Sequence, residues 1–85
     1  YILYLEKDSY FRPDIYPKGF TLGGVEYYFN EQSSFVIDGK HINKNMVKIY
    51  STVRTDIPGV YYVDYELTIY EGFTGKTRLI VVVEQ

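Results

Sequence analysis

Pro58-Gly59-Val60-Tyr61-Tyr62-Val63-Asp64-Tyr65-Glu66-Leu67-Thr68-Ile69-Tyr70 is the stretch that decides the fold. Tyr61, Val63, Tyr65, Leu67 and Ile69 fall on one side of an extended chain; Tyr62, Asp64, Glu66, Thr68 and Tyr70 fall on the other. Period-two alternation of this length describes a half-buried antiparallel strand whose first set faces a core. Pro58-Gly59 sets a tight corner ahead of it, because Pro fixes φ and Gly admits positive φ. Glu71 to Lys76 contains Gly72 and Gly75 and reads as the reversal. The returning strand then places Leu79, Val81 and Val83 inward, while Arg78, Ile80, Val82 and Glu84 face outward or cover an edge. Arg78 stands where it can meet an acidic residue across the pair.

Working outward, the remaining segments are also strand-length. Turn signals recur at Arg12-Pro13-Asp14, Pro17-Lys18-Gly19, Gly23-Gly24, Asn30 to Ser34, Asp38-Gly39 and Asn43-Lys44-Asn45. Between them lie Ile2–Leu5 (with Tyr1 at its start), Gly19–Leu22, Val25–Phe29, Phe35–Ile37 and Met46–Val53, with one short helical turn allowed at Asn43-Lys44-Asn45. Composition agrees: Val, Ile, Thr, Tyr and Phe supply 39 of the 85 residues and Ala is absent, a bias toward strands and away from helices. The expectation is an all-β domain of about seven antiparallel strands, a number that suits a two-sheet sandwich. At 85 residues the chain has room for one core. It opens on Tyr1 rather than Met, which suggests a single domain, residues 1–85, excised from a longer multidomain protein.

Thr55-Asp56-Ile57-Pro58-Gly59-Val60-Tyr61-Tyr62-Val63-Asp64-Tyr65, followed by a Gly-containing turn and a Val-rich last strand, resembles the immunoglobulin-like domains of bacterial surface and secreted proteins. Tyr16-Pro17-Lys18-Gly19-Phe20 is similar to the start of an early strand in that family, and Asp38-Gly39 to its Asp-Gly turn. The likeness runs from about Asp8 to the end. Gly59-Val60-Tyr61-Tyr62-Val63 occupies the place of the Gly-x-Tyr-x-Cys tyrosine corner of antibody domains. On that resemblance Val63 stands where the cysteine would be, so apolar packing replaces the inter-sheet disulfide. With no Trp and no Cys, Tyr and Phe must fill the centre, and each buried hydroxyl needs a partner.

The inventory of chemical groups is thin. His41, beside Lys40, reads as an ordinary residue of a polar loop, and Ser9, Ser33, Ser34 and Ser51 have no other imidazole to act as base. Asp64 and Glu66 are paired carboxylates on the outward face of one strand, where no cleft is expected. Asp38, Asn43 and Asn45 offer oxygens for calcium, but Lys40 and Lys44 interrupt them and no Asp-x-Asp or Asp-x-Asn ladder exists. We therefore expect no enzyme activity, no metal and no cofactor. A net charge of −2 gives no reason to expect nucleic acid, and the longest apolar run, Leu79 to Val83, is far too short for a membrane helix.

Exposed aromatics are the remaining signal. Eleven Tyr exceed what a small core can bury, so Tyr28, Tyr62 and Tyr70 are expected outside. Tyr62, Tyr70, Ile80 and Val82 are predicted to form the largest exposed apolar patch, which would meet an adjacent domain or another protein and mediate at most weak self-association of a monomer. The competing possibility is that the N-terminal strand crosses over Ile80 and Val82 and buries them. The resemblance implies an extracellular or cell-surface spacer or adhesion module, consistent with the lack of thiols. The Tyr excess alone leaves a second expectation, a carbohydrate-binding module of a secreted glycoside-degrading enzyme.

Overall fold

The computed structural model describes residues 2–85; Tyr1, read above as part of the first strand, lies outside them. Among the described residues there are eight strands: β1 (Ile2–Glu6), β2 (Gly19–Leu22), β3 (Val25–Tyr28), β4 (Ser34–Ile37), β5 (Lys40–Asn43), β6 (Lys48–Ser51), β7 (Gly59–Tyr70) and β8 (Phe73–Glu84). Single 3₁₀ turns at Pro13–Ile15 and Lys44–Met46 are the only helical segments described. The protein is all-β.

The long hairpin β7–β8 organises the rest. Val63, Tyr65, Leu67 and Ile69 of β7 are buried together with Leu79, Val81 and Val83 of β8, as alternation requires. Glu71-Gly72 makes the turn, with Gly72 at φ 82°, a conformation that costs an L side chain energy. The reversal is therefore tighter than the sequence reading proposed, and β8 begins at Phe73 rather than Leu79. Gly75, read as a turn residue, sits inside β8 opposite Leu67. A Cβ there would come within 2.6 Å of Leu22 Cδ2, so the glycine permits the close approach of β2.

The main sheet has the order β1-β8-β7-β6. β7 is antiparallel to both neighbours, whereas β1 runs parallel to β8, from Ile2 opposite Ile80 to Glu6 opposite Glu84. Two hairpins, β2–β3 and β4–β5, contribute Phe20, Leu22, Phe35, Ile37 and Ile42 to the same core as the inner face of the sheet. Aromatic side chains fill the space between: Phe29 meets Phe20 at 6.3 Å and Phe35 at 5.3 Å between ring centroids, and Tyr27 stacks on Phe35 at 5.3 Å.

Three further features differ from the sequence reading. The strand β5, with His41 opposite Val36, replaces the expected polar loop. β1 is parallel rather than antiparallel. The C-terminal half of β8 is interior to the sheet, because β1 flanks it. The core tyrosines are satisfied as expected. Tyr61 donates its hydroxyl hydrogen to the Ile57 carbonyl at 2.5 Å. Tyr65, only 2% exposed, donates to the Pro13 carbonyl at 2.6 Å, and burial pushes its phenol pKa up to about 12.

Candidate functional site: the outer face of the main sheet

The residues singled out from the sequence lie on the face of the main sheet that points away from the core. β7 and β8 set Tyr62 opposite Ile80 and Val60 opposite Val82; β1 then adds Ile2 beside Ile80 and Tyr4 beside Val82. Two apolar rows, each crossing three strands, result. Ile2, Tyr4, Val60 and Tyr62 are exposed, by 49%, 62%, 59% and 44%, and Ile80 and Val82 are half-buried between them. The N-terminal strand thus lies beside Ile80 and Val82 and does not cross over them.

Of the four residues predicted to form the patch, Tyr62, Ile80 and Val82 are brought together. Tyr70 is not. It lies at the other end of β7, about 26 Å along the strand from Tyr62 at ordinary strand rise, where it packs on Phe73 at 5.2 Å between centroids. The sequence reading does not include Ile2 and Tyr4, whose membership depends on the parallel pairing of β1 that period-two alternation does not encode. Nor does it include Val60, which the β7–β8 register sets opposite Val82.

A charged band adjoins the apolar rows. Arg78 donates to both carboxylate oxygens of Asp64, Nε to Oδ1 at 2.6 Å and Nη2 to Oδ2 at 3.2 Å. That hydrogen bond holds the Asp64 carboxyl below the usual carboxylate range. Glu66 faces Lys76 on β8 and Lys48 on β6. The two outward carboxylates read as a pair therefore belong to a cross-strand ladder of alternating charge. The Arg78 guanidinium also covers the Tyr62 ring at 4.7 Å from its centroid, joining the band to the patch.

The other candidates are dispersed. His41 is exposed on β5. Asp38 occupies the β4–β5 turn, while Asn43 pairs with Ser34 at the opposite end of that hairpin, so the loop that would gather their oxygens around calcium does not exist. Ser9 Oγ donates to the Glu6 carbonyl at 2.6 Å and closes a local turn. No protein-family model matches the chain, and no curated protein sequence matches it.

Proposed function

We propose that the chain is a non-catalytic immunoglobulin-like module of an extracellular or cell-surface bacterial protein, a β-sandwich that serves as a spacer or adhesive building block. In this reading the main sheet is one layer and the two hairpins are the other. The observation that carries it is the Tyr61 hydroxyl bonded to the Ile57 carbonyl at 2.5 Å, at the start of β7. A tyrosine two residues before the inter-sheet position, tied back to the backbone just upstream, is the tyrosine corner of immunoglobulin domains. Val63, fully buried in the core, takes the inter-sheet place that a cysteine holds in antibody domains.

The contact surface of the module is the patch of Ile2, Tyr4, Val60, Tyr62, Ile80 and Val82, which meets an adjacent domain of the same chain or another protein. Rigid tyrosines and β-branched side chains suit protein contact, since they bury area at small entropic cost. Sugar stacking is less well supported, because the guanidinium of Arg78 already covers Tyr62. Amide correlation spectra at low micromolar and near-millimolar concentration test the surface. Concentration-dependent shifts are expected at Ile2, Tyr4, Tyr62, Ile80 and Val82 and not at Tyr70. Spectra independent of concentration, together with retention on insoluble polysaccharide, would favour the carbohydrate-binding alternative.

A further inference from the structure

A second surface lies apart from this patch, where a cavity opens between the hairpin β2–β3 and Lys76–Leu79 of β8, beside the close contact of Leu22 with Gly75. An open cavity of about 380 Å³ separates Gly19–Thr21 of β2 from Lys76–Leu79 of β8, with Tyr65 as its floor and Tyr28 on its wall. Thr77 points to the core side like its neighbours Gly75 and Leu79, yet Gly75 and Leu79 are buried and Thr77 is exposed. The side chain that would cover it is missing because the cavity is there.

The backbone at this place is open as well. β1 pairs with β8 only from Ile80 onward. At the far end, Lys7 N–H donates to the Glu84 carbonyl at 2.8 Å, so even-numbered residues of β8 direct their backbone groups away from β7. By the same alternation Thr74 and Lys76 turn both N–H and C=O, and Arg78 its N–H, toward the cavity side. No strand among the described residues pairs with them there. An unpaired edge beside an apolar recess is a template for another strand.

Charge selects what kind. Lys18, Lys76 and Arg78 line the cavity against one carboxylate, Glu26, which accepts the Tyr28 hydroxyl at 2.6 Å. Arg78 is engaged by Asp64. Among the described residues Lys18 and Lys76 have no carboxylate within ion-pairing distance. Three cations against one carboxylate in the lining make the cavity locally positive on a chain of net charge −2, with Arg78 engaged by Asp64 and Lys76 opposite Glu66 on the neighbouring strand.

We propose that the open edge of β8 from Thr74 to Arg78 accepts an extended acidic peptide segment of a partner protein as an added strand. The peptide lies in line with β1 and takes its hydrogen bonds from Thr74, Lys76 and Arg78. Small apolar side chains enter the cavity over Thr77 and Tyr65, and carboxylates meet Lys76 and Lys18. This site shares no described apolar residue with the outer-face patch, so either can fail without the other.

The test is an amide-shift titration with a capped synthetic peptide of alternating Glu and Val, and with its Lys–Val counterpart as control. Saturable shifts at Thr74, Lys76, Thr77, Arg78 and Gly19–Thr21 are expected with the Glu–Val peptide alone. Lys76→Gln keeps the N–H and loses the charge, and weakens binding. Lys76→Pro also removes the outward N–H while sparing the β7–β8 ladder, and weakens binding by about a further fivefold, the effect of one hydrogen bond. Unchanged core amides at Val63 and Val81 confirm that each variant is folded. The proposal is overturned by absence of saturation, by equal binding of the Lys–Val peptide, by shifts confined to the outer-face patch, or by a folded Lys76→Pro variant that binds as the wild type does.

Discussion

The two faces of the hairpin β7–β8 are built from interleaved residues of the same two strands, yet they obey different rules. The inner face is apolar apart from Thr77: Val63, Tyr65, Leu67, Ile69, Leu79, Val81 and Val83 are all buried. The outer face changes character along its length. Near the turn-distal end it carries Val60, Tyr62, Ile80 and Val82, and further along Asp64 with Arg78 and Glu66 with Lys76. A solvated outer face of an antiparallel sheet is expected to be polar, and the charged half conforms. The apolar half departs from that rule without any core requiring it. Departure from the pattern on the outer face, rather than agreement with it on the inner face, is what the proposed contact surface rests on.

Substitutions on the two faces can break or sharpen that contrast. The largest effect belongs to the inner face: Leu67→Ala leaves a cavity in a close-packed core and is expected to cost about 2–5 kcal/mol in chemical denaturation. Next comes overpacking at Gly75→Ala, where the new Cβ must displace Leu22 Cδ2 from 2.6 Å, with an expected loss of about 1–3 kcal/mol. Tyr65→Phe removes the bond to the Pro13 carbonyl and is expected to cost about 1 kcal/mol in the same assay.

Tyr65 also predicts an alkaline limit. Its folded pKa is raised from 10.0 to about 12, so its contribution is fully present below the unfolded value and is lost as pH rises through the folded one. The unfolding midpoint should fall across that window, and Tyr65→Phe should flatten the fall. The smallest effect belongs to the exposed carboxylates, of which Asp64 lies on the outer face and Asp14 and Asp56 in turns. The carboxyls of Asp64, Asp14 and Asp56 are held below their ordinary range, chiefly by hydrogen bonds from Arg78, Arg12 and Arg54. A lowered folded pKa stabilises above the unfolded value and is lost as pH falls through the folded one, so the midpoint should decline below about pH 4. Asp64→Asn should remove part of that acid-side decline and change stability at neutral pH less than Tyr65→Phe does. Denaturation curves across pH measure both limits.

Local chemistry explains what could be read in advance. Tyr61 to Ile69 and Leu79 to Val83 announce their buried faces because side-chain direction alternates with certainty in an extended chain. That Arg78 meets an acidic residue across the pair follows from the same alternation; that the residue is Asp64 comes from the register. Gly75 was misread because a glycine needed for close packing looks, in one dimension, like a glycine needed for a turn. Lys40–Asn43 is mostly polar and reads as loop in the sequence; its strand exists through pairing with Ser34–Ile37. The patch was half legible: Tyr62, Ile80 and Val82 follow from the hairpin, whereas Ile2 and Tyr4 join through a parallel pairing between the two ends of the chain. Tyr70 shares the outward direction of Tyr62 but not its place along the strand, and distance is not a property that alternation reports.

Ile80 and Val81 are consecutive residues pointing to opposite faces, and replacing each by Lys tests the division of labour most directly. Sedimentation velocity at low and high concentration, paired with chemical denaturation, is the measurement. Val81→Lys is expected to abolish cooperative unfolding, whereas Ile80→Lys is expected to remain folded with a modest loss of stability and to eliminate the weak self-association expected of the wild type. A wild type that is monomeric at every concentration, with Ile80→Lys as destabilising as Val81→Lys, would contradict this division: Ile80 would then be a core residue and the outer face no contact surface.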